Sequence, residues 1–217
     1  MKAKAELERA RTPAAKQELR SKILREAVHL FAAEGYDAFT MRKLAERIGY
    51  TATTIYAYFE NKDDLMYAVI TSGYDTLRDY LAVPSREPLT RMAAVGRAYL
   101  DFAFENPELY KLMFMLRPPA LFDLTQEKVA ARLETLFTVA TTAGSLPQLA
   151  HLSEADLKRV AELFWAELHG IASLAIQIPL FDEKWARANL EFLIARLTPV
   201  LTVVGASKST AGGRRRR

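Results

Sequence analysis

The 217-residue chain contains no cysteine, which excludes a disulfide framework, a thiolate nucleophile and a cysteine-ligated zinc site. Histidine is nearly absent too. His29, His151 and His169 stand at no metal-ligand spacing from one another or from acids, so no metal is expected. No apolar run approaches the roughly 18 residues that span a bilayer. The opening MKAKAELERART lacks the apolar stretch of a secretion signal, so the expected compartment is the cytoplasm, with no membrane partner. There is no nucleophile elbow, no phosphate-binding glycine loop and no defined carboxylate pair. These gaps point away from an enzyme: no catalytic residue and no cofactor is expected. Strand patterning is missing as well, because Val, Ile and Thr never alternate with polar residues over a useful length.

What is present is enough for a core. Half the residues are apolar and a quarter are charged, as in ordinary globular proteins. The charge is uneven along the chain. Residues 1–62 carry 12 Lys/Arg against 8 Asp/Glu, whereas residues 63–213 carry 14 against 18 before a final RRRR. A basic front on an acidic body suits a polyanionic partner for the N-terminal part.

Nearly everything reads as helix. Thr12-Pro13 opens the first long one, since Thr caps and Pro suits the first helical position. Ile23, Ala27, Leu30 and Phe31 follow its apolar period, and Gly35 supplies a stop. His29 lies on the apolar side and reads as a core histidine. Thr40 caps a short helix to Ile48, ended by Gly49; Thr51 caps another from Ala52 to Tyr58; Asn61 caps a fourth, to Leu81, with Asp63 and Asp64 in its first turn. Further helices are expected over 88–105, 107–116, 123–143, 154–177 and 183–204, separated by proline and glycine punctuation.

Two short helices joined at Gly49 have helix-turn-helix spacing. Leu44, Ala45, Ile48, Ile55 and Phe59 would face the core. Thr51, Thr53, Thr54, Tyr56 and Tyr58 would face outward. Such a face suits the major groove: threonine hydroxyls meet base edges, threonine methyls touch thymine methyls, and tyrosine hydroxyls reach phosphates. The free N–H groups and dipole at the helix start would face phosphate. Thr40, Arg42, Lys43 and Lys62 add backbone contacts.

The run Thr40 to Leu65, TMRKLAERIGYTATTIYAYFENKDDL, closely resembles the DNA-binding domain of the tetracycline-repressor-like (TetR/AcrR) bacterial transcription regulators. Thr40, Ala45, Gly49, Thr54, Tyr56, Tyr58, Phe59 and Lys62 match that family's pattern, and AVHLFAAEGYDAFT (27–40) fits before it. Ala52 and Ala57 depart from it, at sites where a basic or imidazole side chain is common. The resemblance covers about residues 19–66. It implies an all-α fold: an N-terminal three-helix helix-turn-helix domain, linked by a long fourth helix to a C-terminal helical domain for ligand binding and dimerisation. It also implies double-stranded DNA with an inverted-repeat operator as partner, a small-molecule effector and a homodimer. DNA contacts are expected from Thr40, Arg42, Lys43, Thr51, Ala52, Thr53, Thr54, Tyr56, Tyr58 and Lys62.

The expected division is a flexible basic arm (1–18), the DNA-binding domain (19–66), the ligand-binding and dimerisation domain (67–204) and a disordered basic tail (205–217). Residues 164–170, FWAELHG, resemble the Trp–His–Gly signature of a subgroup of these C-terminal domains. Trp165 and His169 share a helix face, either as a structural pair or as a ligand platform. The stretch YKLMFML (110–116) is either core or pocket lining. The candidate effector site is Tyr99, Phe102, Met113, Phe137, Trp165 and His169. The last two long helices, 154–177 and 183–204, are expected to form most of the dimer interface, with Leu168, Ile171, Ala172, Leu174 and Ala175 of the first as its candidate seam. The expected function is a homodimeric repressor released by a small, largely apolar effector; the alternative is an activator or a ligand-independent architectural DNA-binding protein.

Overall fold

The computed structural model describes residues 12–84, 88–116 and 153–209, with side chains given from residue 90 in the fifth helix and to residue 196 in the last. Among the described residues there are eight helices and no strand, so the all-α expectation holds. They are α1 (Pro13–Ala38), α2 (Met41–Ile48), α3 (Ala52–Tyr56), α4 (Lys62–Leu81), α5 (Pro88–Glu105), α6 (Pro107–Phe114), α7 (Glu154–Gln177) and α8 (Glu183–Ser209). The helix expected over 123–143 lies outside the described residues, as do Phe137 and His151.

Side-chain caps set the helix starts. The hydroxyls of Thr12, Thr40, Thr51 and Ser153 each accept an N–H three residues on, from Ala15, Lys43, Thr54 and Asp156, all at 3.2 Å. Asn61 Oδ1 does the same for Asp64 at 2.9 Å, and the Asp64 carboxylate reaches back to the Glu60 N–H at 2.9 Å. Each such cap is worth about 1 kcal/mol. Because Thr12 caps α1, residues 13–18 are helical, which corrects their placement in a flexible arm.

Two glycines carry the turns. Gly35 interrupts α1 with φ 77° and ψ 170°, and Gly49 ends α2 at φ 76°, ψ 33°. Both angles lie where a side chain with Cβ is strained. At Gly49 the chain closes on itself through the Tyr50 N–H to the Ala45 carbonyl, 2.9 Å.

The chain divides into two compact units. The first holds the described residues up to Gly73 together with those from Glu108 to Leu116; the second holds Tyr74 to Pro107 and the described residues from Ser153 onward. Thus α6 groups with the first unit, and α4 runs through both. In the first, α2 packs on α1 and α3 around Ile23, Ala27, Phe31, Leu44 and Ile55. The Phe31 and Phe39 rings stack with centroids 3.9 Å apart. A close approach brings α6 to α4: a Cβ placed on Gly73 would lie 2.5 Å from Met113 Sδ. His29 is not a core residue. Its side chain is 53% exposed, and Nδ1 hydrogen-bonds the Glu108 carboxylate on α6, a partner 79 residues away that local periodicity cannot announce.

In the second unit α5, α7 and α8 pack pairwise. Gly96 lets α5 approach α8, since a Cβ there would stand 2.9 Å from Leu190 Cδ1, while Leu168 Cδ2 of α7 would lie at an ordinary 3.5 Å. Arg97 forks onto Glu191 through Nε and Nη2, both at 2.7 Å, and Arg187 meets Asp101 at 2.8 Å. Leu168 and Ala172 are 2% and 0% exposed within this single chain. They therefore fill this chain's own interior, although they were expected at a dimer interface.

Candidate nucleic-acid interface

The helix-turn-helix pair is two-sided. Ile55 and Phe59 point into the core with Leu44, Ala45 and Ile48. Thr51, Thr53, Tyr56 and Ala57 are exposed, Tyr56 to 54%, while Ala52, Thr54 and Tyr58 are half-buried. Thr53, Tyr56 and Ala57 stand three and four residues apart and so share one helical face. Ala57 was not singled out for that face by sequence, although its spacing from Thr53 carries the signal.

At five residues, α3 is shorter than the expected Ala52 to Tyr58. It tightens at its end, where the Tyr58 N–H bonds the Ile55 carbonyl at 2.9 Å. So short a helix sums few peptide dipoles, which leaves little of the expected dipole attraction for phosphate. Its cap is internally busy as well. Thr51 Oγ1 takes the Thr54 N–H and also lies 3.0 Å from Thr54 Oγ1.

Arg42, Lys43, Arg47, Lys62 and Lys22 each have a partner within the chain. Arg42 Nε bonds Glu46 at 2.8 Å. Lys43 Nζ bonds Glu34 at 2.6 Å and the Ala38 carbonyl at 3.0 Å. Arg47 Nε bonds Glu26 at 2.8 Å, and this hydrogen bond holds the Glu26 carboxyl below its ordinary range. Lys62 Nζ donates to the Tyr36 carbonyl at 2.9 Å and sits 4.0 Å from the centroid of the Tyr36 ring. Lys22, which sequence periodicity did not single out, caps the end of α2 by donating to the Ile48 carbonyl at 3.1 Å, and lies 5.5 Å from the Tyr50 ring. The Arg42–Glu46, Lys43–Glu34 and Arg47–Glu26 pairs are exposed and worth under about 1 kcal/mol each, so those three cations stay available to a polyanion.

Of the candidate effector residues, three come together in the second unit. Tyr99 Oη and His169 Nδ1 are 3.1 Å apart, and the Trp165 and His169 rings stack at 5.2 Å. Burial pushes the His169 imidazole below its ordinary pKa. Phe102 is buried three residues after Tyr99 on α5, with its ring edge-on to Tyr80 at 5.6 Å. Met113 lies in the first unit, where its thioether packs at Gly73.

On the outer side of α7, Ile171 and Ala175 are half-buried, whereas Leu163, Leu174 and Ile178 are exposed. Leu163 is 68% exposed, and Phe192 on α8 is 62% exposed. Among the described residues no helix is long and apolar enough to cross a membrane, and no three potential metal ligands gather.

An all-α chain with a capped, two-sided helix-turn-helix ahead of a separate helical unit belongs to the class of DNA-binding transcription regulators. Residues 23–69 match the family model for bacterial regulatory proteins of the tetR family, and residues 92–197 match that for the tetracyclin repressor-like C-terminal domain. The chain is a TetR-family regulator. It is 28% identical over 213 residues to the HTH-type transcriptional regulator TtgR of Pseudomonas putida, covering 88% of this chain and 98% of TtgR. It is 27% identical over 131 residues to the HTH-type transcriptional activator FasR of Mycolicibacterium smegmatis, covering 59% of this chain and 58% of FasR. The fold is similar to that of the TetR-family regulator PfmR from Thermus thermophilus, with TM-score 0.60 and 21% identity over 80% of this chain and 97% of that one.

Proposed function

We propose that the chain is a homodimeric repressor of the cytoplasm that is released from an inverted-repeat operator by a small, largely apolar effector. The observation that carries this reading is the two-sidedness of α3: Ile55 and Phe59 are buried while Thr53, Tyr56 and Ala57 stand exposed on one face. That face meets base edges, with Thr51, Thr54, Tyr58 and half-buried Ala52 at its margins. Thr40, Arg42, Lys43 and Lys62 lie along the DNA backbone. The tetracyclin repressor-like model over residues 92–197 supports repression, and the activator FasR among the relatives supports activation as the second reading.

The effector site of this reading is built on Tyr99, Phe102, Trp165 and His169, an apolar wall with one hydroxyl–imidazole pair to orient a ligand. Trp165, His169 and Gly170 are here the signature of the Trp–His–Gly subgroup. The dimer seam consists of Leu163, Ile171, Leu174 and Ala175 of α7, Ile178 just past its end and Phe192 of α8, a half-buried to exposed apolar stripe suited to a second copy.

The test is linkage. A panel of small apolar compounds is titrated by the fluorescence of Trp165 and Trp185, with and without a duplex that the protein binds. An effector that weakens DNA binding must itself bind more weakly in the presence of DNA, by the same factor, ordinarily about 5–150-fold. Equal ligand affinity in both conditions contradicts the repressor-release reading. A ligand whose affinity rises on DNA favours activation.

A further inference from the structure

We infer that the operator half-site is read mainly through the C5-methyl groups of thymines, against an apolar patch made by the Thr53 methyl, the Ala57 Cβ and the Tyr56 ring. The inference rests on α3 being the DNA-facing helix and goes beyond it to the chemistry of the contact.

Bidentate reading of guanine needs Arg or Lys, and bidentate reading of adenine needs Asn or Gln. From Thr51 to Tyr58 there is none of these. The basic residues from Thr40 to Lys62 are Arg42, Lys43, Arg47 and Lys62, which stand on α2 and at the start of α4, outside α3 and its exposed face. Asn61, the single amide there, spends its oxygen on the Asp64 N–H. The hydroxyls of Thr51 and Thr54 face each other in the cap at 3.0 Å. What the outward face offers is the Thr53 hydroxyl, the Tyr56 hydroxyl and three exposed apolar surfaces on one helical face. In the major groove, the base-pair feature complementary to such a surface is the thymine methyl. Small side chains at 53 and 57 also let α3 sit deep, where those methyls lie. Specificity of this kind is cumulative, several small apolar contacts in place of one strong fork.

The test uses the full chain and a randomised duplex library. After selection, the enriched duplex is resynthesised with deoxyuridine replacing thymine at each half-site position in turn. Uracil pairs identically and keeps O4, so only the methyl is lost. We expect enrichment of thymine-bearing half-sites and, at two or more positions in each, a loss of about fourfold per methyl. Thr53→Ser keeps the hydroxyl and removes the methyl. It should weaken binding to the thymine duplex and leave binding to the matching uracil duplex unchanged. Uracil duplexes bound as tightly as thymine duplexes at every position overturn the inference while leaving sequence-specific DNA binding intact. A library with no enriched sequence overturns both.

Discussion

The Lys62 ammonium donates to the Tyr36 carbonyl at 2.9 Å and lies 4.0 Å from the centroid of that residue's ring. It therefore ties the start of α4 to the segment after the Gly35 break, 26 residues away in sequence. A charge-assisted hydrogen bond of this type is worth roughly 1.5–3 kcal/mol.

Lys62→Ala should thus act twice. It should lower unfolding stability by about 1–2 kcal/mol and reduce the slope of log affinity against log salt by about one. Lys62→Met keeps the apolar stem and should recover part of the stability but none of the slope. Urea unfolding and a salt titration on one duplex separate the two effects. An unchanged slope makes Lys62 a staple of the fold and nothing more.

Thr51 caps α3, and the helix has only five residues to hold it together. Thr51→Ala should cost about 1 kcal/mol of stability and weaken DNA binding, whereas Thr51→Ser should be near neutral. Circular dichroism melts beside binding isotherms check this. A Ser variant as impaired as the Ala variant would mean that the methyl group, and not the cap, matters there.

Much of this was legible in the chain itself. Thr12, Thr40, Thr51, Asn61 and Ser153 mark helix starts because capping is local chemistry, and Gly49 marks the turn because only glycine takes its φ of 76° without strain. Ile55 and Phe59 are buried as their spacing requires. What was not legible depends on partners far along the chain. His29 looks apolar-facing by period, yet it meets Glu108 on α6. Helix α7 is apolar on more than one side, so period alone could not say that Leu168, which lies near Gly96 of α5, and Ala172 are buried while Leu174 is exposed. Met113 sits among aromatics in sequence, but Gly73 draws it to α4.

That outward position of Leu174 sets a third expectation. In a dimer, Leu174→Asp buries an unpaired carboxylate at a cost of several kcal/mol, whereas in an isolated chain the same aspartate is solvated. Light scattering at micromolar concentration should show the wild type as a dimer and the variant as a folded monomer. Leu168→Asp should instead unfold the second unit, because that side chain is internal. A Leu174→Asp protein that remains dimeric moves the seam elsewhere.

His169 gives the pH dependence. Burial depresses its folded-state pKa, so below about pH 6.5 the unfolded chain takes up a proton before the folded one does. Its contribution is complete above that pH and is lost as pH falls toward the folded value. Thermal midpoints should drop between pH 7.5 and 5.5 more steeply in the wild type than in His169→Gln. Parallel profiles would mean that His169 does not titrate differently in the two states.

The most direct test of DNA reading by residues 40–62 is a hydroxyl-radical footprint of the full chain on its selected duplex. Two protected patches related by two-fold symmetry, with centres about 34–36 Å or a multiple of that apart, are the predicted result. Tyr56→Ala should erase both patches together. Protection without two-fold symmetry, or the same protection on a random duplex, contradicts the account.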